Sequence, residues 1–417
     1  MRRTTVVGLA AALVFGVQAV QTQSPASASA LAKEPAVRAA LAAIRAGEPR
    51  TVDEQIRFCE VPAPPFAETA RGEVLQKAFS ELGLRNVRVD RAGNVLAERP
   101  GAAARPHVVI AAHLDTVFPA GTNVAVRRDG PVLRGPGIGD NCRGLAVLTA
   151  IARAMRDARV DTPGTITFVA NVGEEGLGDL RGVKALFGDT LKGQVDRFVS
   201  IDGGGVNVTN VSVGSLRYRV TFKGPGGHSF AAFGVANPAQ ALGRAVAKIA
   251  ELEVPSRPLT TFNVGRIGGG TSVNSIPFEA WMEVDLRSSA PAALKALDVQ
   301  FQRAVDEAVV EENRRWGRPG VVTVETTMVG DRPAGALADS APIVQAVREA
   351  GRALGLAVPL SEGSTDANLP MSLGIPAVTI GGGGDGNDAH ALTESFDTTD
   401  AWRGAQHALL VTITLAR

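Results

Sequence analysis

Cysteine is almost missing from this chain of 417 residues; only Cys59 and Cys142 occur. That excludes a disulfide framework and a thiolate-rich metal site. One bridge between the two is permitted in an oxidising compartment. An excess of charge is lacking too, with 43 Lys and Arg against 42 Asp and Glu. Nothing therefore marks the chain for nucleic acid or an anionic membrane. Aromatics make up only 5% and histidines number five, so the setting of each histidine is informative. The one long apolar run, residues 6–20, follows Arg2 and Arg3 and leads to small residues ending in Ala28-Ser29-Ala30 or Ala26-Ser27-Ala28. It is too short to anchor in a bilayer and has the form of a secretory signal peptide over residues 1–30. The mature chain is accordingly expected in the periplasm or outside the cell, near neutral and free of the membrane.

With 45% hydrophobic residues, the remainder can bury a substantial core. Helices are expected over 35–60 and 68–84, then strands over 86–90, 95–98 and 107–111. A helix over 140–155 and apolar strands over 165–172 and 197–201 continue an alternating α/β pattern. From 211 to 327 the rhythm becomes β-α-β-β-α-β, the ferredoxin-like order, opening on one long alternating strand over 211–223. A helix over 342–354, a strand over 377–380 and a helix over 399–415 return to the first pattern. The middle unit therefore reads as an insertion in a discontinuous α/β domain.

Chemistry-bearing residues fall at the ends of the expected strands. His113 and Asp115 follow the strand over 107–111, where parallel sheets place their ligands. Asp140 opens a helix in Gly-Ile-Gly-Asp140-Asn, where a lone Asp reads first as the N-cap. Glu174 and Glu175 follow the strand over 165–172; adjacent carboxylates repel unless cations or a shared proton hold them. Asp202 ends the strand over 197–201, and His390 sits in a Gly-rich segment beginning at Gly381. Each reads alone as ordinary structure. Together they deliver His, Asp, Glu-Glu, Asp and His in chain order, a hard-oxygen and imidazole set suited to Zn²⁺, with room for two ions sharing a carboxylate.

These motifs, with Gly224-Pro-Gly-Gly-His228-Ser, resemble the M20 family of co-catalytic zinc metallopeptidases across the mature chain. The resemblance implies a zinc-peptidase-like mixed sheet flanked by helices over 31–210 and 330–417, with an inserted lid or dimerisation domain over 211–329. It implies that His113 and Asp202 bind one zinc, Glu175 and His390 the other, and Asp140 bridges them. Glu174 would be the general base activating a metal-bound water, and Asp115 would orient His113. His228 would stabilise the oxyanion, often in a partner subunit's site. Asn274 and Arg287 would contact substrate carboxylate or carbonyl groups, and Ser364 and Asp366 match a further loop at the site. Relatives with Asp at position 202 tend to be amino-, di- or tripeptidases. The expectation is an exported dizinc exopeptidase acting on short peptides, with a possible homodimer through the lid. The alternative is an N-acyl-amino-acid amidohydrolase or carboxypeptidase of the same family.

Overall fold

The computed structural model describes residues 27–316 and 321–417. Most of the expected signal segment lies outside the described residues. Its last residues, together with Leu31, form a short helix, Ala28–Leu31. No helix among the described residues is long and apolar enough to cross a membrane.

Among the described residues, the main sheet has nine strands. Four central strands, Thr165–Asn171, His107–His113, Arg197–Ile201 and Ala377–Ile380, lie side by side and parallel. They read as near-continuous apolar runs because helices cover both faces. His107–His113 is buried at every position. Antiparallel Val95–Arg99 and Arg85–Val89 extend one edge. On the other edge, Val208–Ser212 pairs with Ala377–Ile380, Gly335–Ala336 and Leu360–Gly363. The architecture is the expected α/β mixed sheet flanked by helices.

A second sheet of four antiparallel strands comprises Gly214–Lys223, Thr260–Gly269, Glu279–Ser288 and Thr323–Arg332. Helices Pro238–Ala250 and Pro291–Arg315 pack against it through Leu242, Ile249, Leu297 and Phe301. The strand and helix order is β-α-β-β-α-β.

Several elements differ from expectation. Residues 35–60 form two helices, Pro35–Ala46 and Glu48–Cys59, parted at Gly47. The single strand expected over 211–223 is two, and the chain passes from one sheet to the other between Ser212 and Gly214. A Cβ on Gly214 would lie 2.7 Å from the Ala334 nitrogen, so glycine lets the two crossings run side by side. Sequence reading also missed a small sheet of Arg127–Asp129, Val132–Arg134, Asp385–Asn387 and Ser395–Asp397. Strands of three residues carry too little periodicity to register.

One buried cation ties the amino-terminal helices to the closing one. Arg143 is fully buried and donates to Glu48 Oε1 at 2.7 Å and to the carbonyls of Gly382 and Ala401, each at 2.8 Å. Arg143→Ala leaves a largely buried carboxylate without its cation and is expected to destabilise the protein by about 3–5 kcal/mol. Urea unfolding measures this, and a loss below about 1 kcal/mol, the range of ordinary surface changes, would refute it.

Candidate metal centre

The carboxyl ends of the parallel strands converge at one edge of the main sheet, where open α/β sheets place their ligands. His113 is the last residue of its strand and is buried. Its Nδ1 meets the backbone carbonyl of Asp115 at 3.0 Å, with the carboxylate oxygen farther off at 3.7 Å. The Asp115 carboxylate is mainly engaged elsewhere, accepting from the backbone N–H of Glu174 at 3.0 Å and of Glu175 at 2.8 Å. Asp115 thus fixes the ring of His113 and the loop that follows the neighbouring strand.

Asp140 is not the helix cap. Helix Cys142–Asp157 is capped by Asn141, whose side chain accepts from the Gly144 N–H at 3.0 Å. This leaves the Asp140 carboxylate free to face both imidazoles. Its Oδ1 lies 3.0 Å from His113 Nε2, and its Oδ2 lies 3.1 Å from His390 Nε2. His113 Nε2 is also 3.6 Å from Asp202, and His390 Nε2 is 3.0 Å from Glu175. Among the described residues, three overlapping groups of potential metal ligands result: His113 with Asp140 and Asp202, Asp140 with Glu175 and His390, and His113 with Glu174 and Glu175. The ligand atoms of each group lie within 4.8 Å of one another.

The Asp140 loop is held from below by Glu394, a residue that sequence reading missed. Its carboxylate accepts from the N–H groups of Gly137, Gly139 and Asp140 at 2.8, 2.9 and 3.0 Å. The loop to His390 threads a narrow passage. A Cβ on Gly383, where φ is +84°, would lie 2.1 Å from the Ala401 carbonyl oxygen, so only glycine fits.

Electrostatics show what the arrangement demands. Burial alone would depress His113, yet Asp115, Asp140 and Asp202 hold it well above the ordinary imidazole range. Hydrogen bonds to Asp140 and Glu175 raise His390 to about 10. Burial pushes Glu174 well above the usual carboxylate range, against the opposing charge of Arg332. Burial also lifts Asp366 to about 7; its Oδ2 accepts from Asn171 at 2.8 Å. Carboxylates this crowded require compensating positive charge, supplied by protons on the imidazoles or by cations. The oxygen and nitrogen donors, without sulfur, fit divalent metal ions.

A cavity of ≈ 290 Å³ opens over these groups, lined by Val117, Asp140, Glu174, Glu175, Gly176, Asp202, Arg217, Arg287, Arg332, Ser364 and His390. Arg287 is therefore at the site, its Nε donating to Asp285 at 2.6 Å. Ser364 accepts weakly from Arg332 at 3.4 Å. Arg332 itself was not singled out from sequence. It is buried and donates to Glu174 Oε1 at 2.8 Å and to the Glu174 carbonyl. That pair spans 158 positions, and nothing in Gly330-Asp-Arg332-Pro announces it. His228 and Asn274 do not line the cavity. They lie exposed beside each other on the second unit, where the Ser229 N–H donates to the Asn274 carbonyl at 2.9 Å and Gly227-His228 pairs with Ser275-Ile276.

The family model for peptidase family M20/M25/M40 matches residues 109–412. The chain is 27% identical over 360 residues to the succinyl-diaminopimelate desuccinylase of Corynebacterium glutamicum, covering 81% of this chain and 89% of that protein. Its fold is similar to that of the aminopeptidase PepT from Bacillus cereus, with a TM-score of 0.69 and 22% identity over 89% of this chain and 99% of the other. It is also similar in fold to the Bacillus subtilis YXEP protein, described as a dinuclear metal-binding peptidase, with a TM-score of 0.63 and 18% identity over 88% and 98% of the two chains. The family match spans His113, Asp140, Glu174, Glu175, Asp202 and His390, and the chain belongs to peptidase family M20/M25/M40, the metallopeptidase-type hydrolases of peptide and amide bonds.

Proposed function

We propose that this chain is an exported dizinc exopeptidase that removes amino-terminal residues from short peptides. The observation that carries the reading is the Asp140 carboxylate, which turns one oxygen to each of two imidazoles. In this assignment His113 and Asp202 hold one ion, Glu175 and His390 the other, and Asp140 is shared. Two such ions would polarise the scissile carbonyl and make hydroxide available near neutral pH.

The chain's own residues supply the rest. Glu174 is the one carboxylate at the centre whose Oε1 is engaged by a cation, Arg332, in place of an imidazole. It takes a proton from the attacking water and passes it to the departing amine. Asp115 holds Glu174 and Glu175 by their backbone N–H groups, so base and ligand keep a fixed separation. Arg217 and Arg287, both near Asp285, face the substrate side of the cavity and suit a peptide carboxylate or carbonyl. The cavity is at the small end of ligand-site volumes, which suits short substrates.

His228 and Asn274 belong, in this reading, to a neighbouring copy's active site. Support comes from the exposed apolar side chains near them, Phe230, Phe233, Val273 and Phe278, which a homodimer through this unit would cover. The export part of the proposal is supported by the charged, apolar and small-residue segments of residues 1–30.

A second reading, hydrolysis of N-acyl amino acids, is favoured by the similarity to a desuccinylase. Steady-state assays of free di- and tripeptides against N-acetyl and N-succinyl amino acids separate the two. Free peptides are expected to be preferred, and preference for blocked substrates would reject the aminopeptidase reading. Glu174→Gln is expected to retain its metal by elemental analysis while kcat falls by about 10²–10⁴-fold. Mixing Glu174→Gln with His228→Ala protomers is expected to restore part of the activity; no recovery would reject the shared site.

The metal-free protein should have a defined pH window. The His390 pKa of about 10 lies above the ordinary 6.5. Its stabilising contribution is therefore complete below about 6.5 and is lost as pH rises through about 10. Asp140 is held below its ordinary 3.8, so its contribution is present above that value and fades as pH falls further. Urea midpoints of chelator-treated protein across pH test this, with His390→Asn expected to flatten the alkaline limb.

A further inference from the structure

The two cysteines take no part in the chemistry above, yet they sit directly behind it. Cys59 ends helix Glu48–Cys59 and Cys142 opens helix Cys142–Asp157, and these helices pack against each other. Both side chains are fully buried in one apolar cluster with Val52, Leu133, Ile138, Phe396 and Ala401. Both are free thiols here, and both border the loop before Asp140, with the Cys142 N–H donating to the Gly137 carbonyl at 3.2 Å. The Cys59 thiol also reaches the Pro136 carbonyl at 3.4 Å.

The backbone on the Cys59 side is pinned. Arg71, fully buried, donates to the carbonyls of Cys59 at 3.2 Å, Val61 at 2.7 Å and Leu114 at 2.7 Å. Gln55, one turn before Cys59, donates to the Ile138 carbonyl at 2.8 Å. The same helix end thus holds the loop 135–141 that presents Asp140. A thiolate metal site is not the explanation, because the ligand groups among the described residues include neither cysteine. Nor does packing require sulfur, since apolar side chains of that size fill such a cluster equally well.

We infer that Cys59 and Cys142 form an intramolecular disulfide that cross-links the two helices beneath the Asp140 loop. The oxidant is a small-molecule disulfide. One cysteine gives up its proton and its thiolate attacks that disulfide, releasing one small thiol and leaving a mixed disulfide. The second cysteine, also as thiolate, attacks the mixed disulfide and releases the other small thiol. Two electrons and two protons leave the protein, and one S–S bond forms. Exchange occurs while the chain folds, before the cluster closes over both sulfurs. The cross-link closes a long loop and so stabilises the folded chain against the unfolded one. It concerns thiols alone and stands apart from the peptidase and export readings.

The test refolds the full chain from urea in a mixture of oxidised and reduced glutathione, then denatures it in acid and alkylates it with iodoacetamide. Intact mass is expected to show no alkylation and the loss of two hydrogens, with two alkyl groups appearing only after reduction. Reductant is expected to lower the melting temperature of the natural protein by several degrees. It should leave Cys59→Ser, Cys142→Ser and the double variant unchanged. Two alkylated thiols in the unreduced sample, glutathione adducts that fail to resolve, or equal melting of the oxidised and reduced natural protein would each overturn the proposal. The mass measurement decides even where a serine variant does not fold.

Discussion

The centre depends on one electrostatic constraint: more carboxylates meet at the end of the main sheet than neutral protein can hold together. Asp140, Glu174, Glu175 and Asp202 share a single cavity, and repulsion among them must be offset from within. Two imidazoles and Arg332 do part of this. The imidazoles do it only by keeping protons, as the upward shifts of His113 and His390 show. Divalent ions would do the same, each imidazole then offering its lone pair to a cation in place of holding a proton. The fold therefore gathers a set of donors whose mutual repulsion divalent cations would offset.

Support for that receptor is distributed over segments far apart in sequence. Asp115 fixes the Glu174-Glu175 pair, Glu394 fixes the Asp140 loop, and Asn141 caps the helix so that its neighbour need not. Such outer hydrogen bonds orient the residues that do chemistry and determine how exactly they are held. Much of this support is a side chain accepting from backbone N–H, an interaction that leaves no compositional trace.

Legibility of the sequence follows from this. His113, Asp140, Glu174, Glu175 and Asp202 stood out because each follows a strand or opens a helix, and strand ends can be read from apolar runs, while His390 stood out as a scarce histidine in a Gly-rich segment. The central strands were legible for the same reason. Arg332 and Glu394 were not, because their partners lie far away along the chain and their local motifs are ordinary. Gly214 looked like one residue of a long strand, since alternation continued across it while the chain changed sheets. The role of Asp115 was half visible. Its nearness to His113 was plain, but its grip on the next strand's loop required the parallel register of His113 with Asn171.

The passage at Gly383 has a further bearing on how the second imidazole is held. The chain there runs against Ala401 and Gly404, at the root of the closing helix Trp402–Leu415. His390 is thereby suspended from the carboxy-terminal segment as well as from the sheet. Anything that loosens that last helix, such as trimming the tail or adding bulk where it docks, reaches the His390 loop through a backbone wedge with no methyl-sized slack.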